Sequence, residues 1–193
     1  PLDRFEPRFR LRGLGLEVRA GEVEVEGALL MVESDLPGGE PSFVGAALVK
    51  TKTLSLSALG AFGELNGHKS LFVYAVLDYP LGGPSFFFVT GLAAGFGYNR
   101  RLILPEIDDV ASFPLVADAV AGAGAAALPS GDALMDKLAS VQRYVPASVG
   151  DYFLAVGVKF TSFKLVESFV LLSVSFGNRF EIDLLGLSTL VTP

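Results

Sequence analysis

The 193-residue chain has no cysteine, no tryptophan and a single histidine, and only 19% of it is charged. Each shortage removes a class of chemistry. Without cysteine there is no disulfide framework, no thiolate zinc site and no thiol nucleophile. With His68 alone, neither a multi-histidine metal site nor a two-ring proton relay can form. Fifteen Lys and Arg against 21 Asp and Glu give a net charge of −6, so the basic footprint of a nucleic-acid binder is missing. Intrinsic disorder is excluded too, because the chain is 51% hydrophobic with a mean hydropathy of +0.51. The longest uncharged stretch, Tyr79 to Asn99, contains Pro80, Pro84, Gly82, Gly83, Gly91, Gly95 and Gly97. Prolines and glycines at that density forbid a transmembrane helix.

What the chain does have is phenylalanine, 16 copies, and glycine, 22 copies, set in patterns of period two. Leu14, Leu16 and Val18 share one parity; after Ala20-Gly21, Val23, Val25, Leu29 and Met31 share another, with Glu22, Glu24 and Glu26 between them. This predicts a hairpin with one wet side. A loop follows at Asp35–Gly39, then strands over 43–50 and 53–65. Asn66-Gly67 is a strong hairpin signal, since both residues tolerate positive φ. Strands are expected again over 71–77 and 85–94. Being apolar at both parities, these two suit burial on two faces.

The period then changes. Pro105 to Gly124, with Ser112, Pro114 and an alanine-rich tail, reads as a short helix with proline in its first turn. Residues 123–129 read as a connection, and Asp132 to Arg143 carries Leu134, Leu138 and Val141 at helical spacing. Strands return over 152–160, 165–176 and 180–190. The expected architecture is mainly β (α+β): a twisted antiparallel sheet or hairpin array, or a sandwich, with a two-helix insert at about 107–143. All of 1–193 reads as one domain. Its first residues, Pro1-Leu2-Asp3, lack a methionine, which points to an excerpt of a longer chain.

Few residues suggest catalysis. His68 lies beside a turn, and no Gly-x-Ser-x-Gly elbow exists to supply it with a serine. Gly95-Phe96-Gly97 opens no helix, so a bulge or a close backbone approach explains it better than a nucleotide loop. Glu106, Asp108 and Asp109 are the densest acidic group, and they suit a helix start. No metal and no cofactor is expected. The phenylalanines carry the sharper expectation. Phe72, Tyr74, Phe86 and Phe88 share parity within their strands and are the candidates for an apolar face or groove holding a lipid-like ligand.

The stretch Leu81-Gly82-Gly83-Pro84-Ser85-Phe86-Phe87-Phe88-Val89-Thr90-Gly91-Leu92-Ala93-Ala94-Gly95-Phe96-Gly97-Tyr98-Asn99-Arg100-Arg101 resembles a family of large, uncharacterised bacterial and fungal proteins that share a domain of unknown function. The segment Val156–Phe163 is similar to the same family. The resemblance runs from about residue 55 onward and implies a longer protein; it brings no catalytic residues with it. The expected function is a non-enzymatic structural or binding module. Its expected partners are neighbouring segments of a longer chain, a second copy, or an apolar ligand. The alternatives are a hydrolase using Asp108, Asp109 and His68, and a membrane-associated β protein.

Overall fold

The computed structural model describes residues 13–33, 41–84, 86–121 and 132–190. The expected loop at 35–39 and the connection at 123–129 lie outside them, as do the side chains of Leu134 and Leu138. Nine strands form one open antiparallel sheet in which each strand pairs with its neighbours in sequence. They are β1 (Gly13–Ala20), β2 (Val23–Val32), β3 (Ser42–Lys50), β4 (Ser55–Leu65), β5 (His68–Gly82), β6 (Phe88–Arg100), β7 (Ala147–Ser162), β8 (Val166–Gly177) and β9 (Glu181–Leu190). Between β6 and β7 the chain forms a 3₁₀ turn (Ile107–Ser112), α1 (Pro114–Ala121) and α2 (Asp132–Tyr144). The hairpin array and the two-helix insert are as expected. No second sheet exists among the described residues, so the sandwich alternative falls away.

Local chemistry sets the turns. Asn66 and Gly67 have φ of 51° and 78°, the paired positive values of a two-residue hairpin turn, and Leu65 faces His68 directly. Pro114, which has no N–H to leave unpaired, opens α1. Phe86 departs from expectation. The Phe87 N–H donates to the Pro84 carbonyl at 2.8 Å, a turn that takes Phe86 out of the strand, so β6 begins at Phe88. It then continues through Gly91, Gly95 and Gly97 to Arg100.

Those glycines organise the core. Over Gly91–Gly97 the side of β6 facing the helices carries only Gly91, Ala93, Gly95 and Gly97, while its neighbours carry Phe72, Tyr74 and Val76 on β5 and Phe153 and Ala155 on β7. A Cβ at Gly97 would collide with the Phe153 ring, and one at Gly95 would stand 2.9 Å from Tyr74 Cδ2. Rings from both sides therefore close over a shallow strand, with the Phe72 and Phe153 centroids 6.1 Å apart. Leu115, Val116 and Ala119 of α1 join this buried cluster.

Polar ties fix the helices where they land. The Tyr74 hydroxyl donates to the Leu115 carbonyl, and burial pushes that phenol's ionisation well above its ordinary range. Arg100 is buried and donates to the Val145 carbonyl at 3.0 Å. The Lys159 ammonium reaches the Val120 carbonyl at the end of α1 (3.3 Å) and Asp78 (3.6 Å). Lys137 of α2 pairs with Asp118 of α1 at 2.8 Å. Burial raises the Asp118 carboxyl, and the Lys137 charge and hydrogen bond pull it partly back.

Gly97→Ala is expected to destabilise the fold by about 1–3 kcal/mol, because the Phe153 ring must move. Gly60→Ala, whose Cβ would meet nothing nearer than the Phe72 carbonyl at 3.4 Å, is expected to stay within about 0.5 kcal/mol of the parent in urea unfolding.

Candidate functional site

Among the described residues, the 3₁₀ turn and helices cover one face of the sheet, and none covers the other. Cross-strand register aligns its residues in rows that run the width of the sheet. One row is Leu14, Leu29, Gly45, Gly60, Val73, Phe96, Leu154, Val174 and Ile182, each directly opposite the next. The adjacent row is Leu16, Gly27, Ala47, Ala58, Ala75, Ala94, Val156, Leu172 and Leu184. Beyond it lies a branched row that includes Val49, Leu56, Leu77, Leu92 and Val158. On the opposite flank lies an aromatic row that includes Phe43, Phe62, Tyr98, Tyr152 and Phe176. The Tyr152 and Phe176 rings stack at 5.6 Å. None of these four rows contains a charge. The nearest are Glu64 and Lys69, opposite one another at the β4–β5 turn.

The relief of this face is uneven. Over β2–β4 the small residues Gly45, Gly60, Ala47 and Ala58 floor a trough of about 340 Å³, walled by Leu29, Phe43, Phe62, Leu71 and Val73. Over β7–β9 large side chains stand up into solvent, with Leu154 50%, Val156 56% and Leu184 69% exposed. A typical monomer's largest apolar patch is roughly 300–600 Å². Here eight strand spacings and three intervals between rows give a face of about 38 by 20 Å, or roughly 800 Å².

The residues singled out from sequence are scattered. Phe72 and Tyr74 face the helices and are 0% and 1% exposed. Phe88 is half-buried at the start of β6, and Phe86 is exposed in the turn before it, its carbonyl accepting from Ser162 Oγ at 3.0 Å. Of the runs 71–77 and 85–94, expected to be buried on both faces, the strand residues 71–77 and 88–94 are buried on one, because the insert covers only one side. Asp108 and Asp109 occupy the first turn of the 3₁₀ segment. His68 is exposed at the head of β5 with Nδ1 3.0 Å from the Asn66 carbonyl. Among the described residues no group of three His, Asp or Glu is placed to hold a metal ion. Nor is any helix among them long and apolar enough to cross a membrane. The uncovered face itself was missed. Its signal lay in β6, where only one parity is reduced to Gly and Ala and so marks the helix-docking side; the remaining apolar parity belongs to the other.

A polar corner closes the far end of β6 and β7. The Arg101 guanidinium donates to Asp151 Oδ2 at 2.9 Å, and Ser148 Oγ donates to the same oxygen at 2.7 Å. Asn99 Oδ1 accepts from the Gly150 N–H, and its amide donates to the Lys69 carbonyl. Burial alone would raise the Asp151 carboxyl, but the Ser148 and Arg101 hydrogen bonds and the Arg101 charge outweigh it and hold the group below the usual carboxylate range. The corner pins the chain where it leaves for the helices and returns from them.

The whole chain, residues 1–193, matches the model of a family of unknown function, DUF6603. An uncovered apolar sheet with a helical back is thus the architecture of a domain of unknown function. The chain belongs to the DUF6603 family. No curated protein and no solved structure matches it.

A carboxyl depressed in the folded state contributes stability above its unfolded pKa, and that contribution is lost as pH falls through the folded value. Asp151→Asn is therefore expected to cost about 1–3 kcal/mol at neutral pH. The gap to the parent should shrink as pH drops below about 4, the ordinary aspartate value. Urea midpoints for both proteins at neutral pH and at the acid end check this.

Proposed function

We propose that this chain is a non-enzymatic structural module whose uncovered sheet face is closed by a second apolar layer. The observation that carries the reading is the four charge-free rows spanning the sheet. A surface of roughly 800 Å² that excludes charge is the size of one side of a standard protein interface. At about 25 cal/mol per Å² its exposure to water is a large free-energy reservoir, released when the face is covered.

The trough favours a second reading at the same place. Its volume falls in the range of roughly 300–1,000 Å³ typical of ligand sites, and its Gly and Ala floor suits a flexible acyl chain. An acyl chain would fill the trough but leave the large side chains over β7–β9 bare, which is why the layer reading leads.

A dye that fluoresces on apolar surfaces tests the leading reading. Chain diluted to nanomolar concentration is expected to bind it strongly, and Leu154→Gln, Val156→Gln and Leu184→Gln combined should remove most of the signal with an unchanged circular dichroism spectrum. Dye binding that ignores the triple substitution sinks it. For the second reading, native mass spectrometry of gently purified protein would show an apolar adduct that Gly60→Leu removes; a clean mass rejects it.

A further inference from the structure

We infer that the layer closing the uncovered face is a second copy of this chain, docked face to face about a two-fold axis running along β5. The inference rests on the layer reading above and goes on to name the occupant. Two observations carry it: the size of the face and its relief.

A stable dimer needs about 800 Å² from each partner, and the four rows supply that area. Relief decides between a generic layer and a self-complementary one. A two-fold axis along the central strand sets β4 of one copy over β6 of the other, and β3 over β7, with each row facing its own counterpart. Gly60 of one copy then lies beneath Phe96 of the other, and Gly45 beneath Leu154. In the neighbouring row Ala47 lies beneath Val156, and Gly27 beneath Leu172. In these two middle rows the hollow half of each face receives the raised half of its mate, which is the interdigitation that sheet-on-sheet packing at about 10 Å demands. An axis along the strands also keeps the two sets of strands nearly aligned, the arrangement twisted sheets favour.

Charge agrees with shape. The net −6 of each copy would oppose association if it faced the partner. The acidic residues of β2, β8 and β9 (Glu24, Glu26, Glu167, Glu181 and Asp183) lie instead at the parity of the helix side. Where the two β4–β5 turns approach the axis, Lys69 of one copy comes beside Glu64 of the other.

Sedimentation of the chain between about 0.1 and about 50 µM is expected to show a reversible monomer–dimer equilibrium, at the weak end of the affinities that interfaces of this size span. Ala47→Glu and Val156→Lys should each weaken the dimer at least about tenfold, since each leaves a charge against an apolar partner. Combined in one chain they face each other twice across the axis, and dimerisation should recover. Should a charged variant fail to fold, Gly60→Val with Phe96→Ala exchanges volume across the same contact: Gly60→Val alone weakens the dimer, and the pair restores it.

A monomer at every concentration overturns the inference. Strong dye binding by that monomer would leave the layer reading intact with another occupant, and absent dye binding would end both. A dimer that both single charges disrupt and the double does not restore overturns the two-fold arrangement.

Discussion

The structure depends on one close approach. On the helix side of β6 nothing larger than alanine rises from the backbone over Gly91–Gly97, so Tyr74 and Phe153 lean inward from either side and α1 settles on the surface they make. Packing of this density leaves no slack: a single methyl group at Gly97 meets the Phe153 ring. Because α1 is seated there, the Tyr74 hydroxyl finds the Leu115 carbonyl and Arg100 finds the Val145 carbonyl. Both are buried polar groups that would be costly if left alone. The helices are thus held by shape first and by hydrogen bonds that shape makes possible.

Much of this arrangement was legible in the residues themselves. Period-two alternation located the strands, Asn66-Gly67 fixed a turn, and the expected helix with proline in its first turn is α1, which opens at Pro114. Gly95 and Gly97 were readable as a close backbone approach. Other features were not. Phe86 joined the strand on parity, whereas a turn closed by Pro84 removes it, and such turns depend on φ and ψ that composition does not reveal. The assumption of burial on both faces failed for a different reason. An apolar run records that both sides avoid water, but it does not record whether the same chain supplies both covers. Phe72 and Tyr74, the residues expected to line an open apolar face, lie at the parity that α1 seals.

The two faces divide the chemistry of the molecule. The helix side holds the ion pairs of Lys137 with Asp118 and of Lys159 with Asp78, and the polar corner around Asp151. The other side holds almost no polar group. Electrostatic and apolar surfaces are therefore separated by the thickness of one sheet, and a charge introduced on the apolar side has no counter-ion within reach. The two edges differ from both faces. Among the described residues β1 and β9 each pair on one side only, so each presents an open row of backbone groups.

The strictly sequential order of the sheet governs how the chain can reach it. Seven of the eight pairings join strands linked directly, and only β6 to β7 waits for an intervening segment, Arg101 to Pro146, to double back. The entropy of closing a loop grows only with the logarithm of its length, so that one long closure costs little more than a few short ones. Hairpins on either side can zip independently toward the middle, β1 to β6 from one end and β7 to β9 from the other. The insert is then the clasp that joins two finished halves, and the polar corner at Arg101 and Asp151 sits at its hinge.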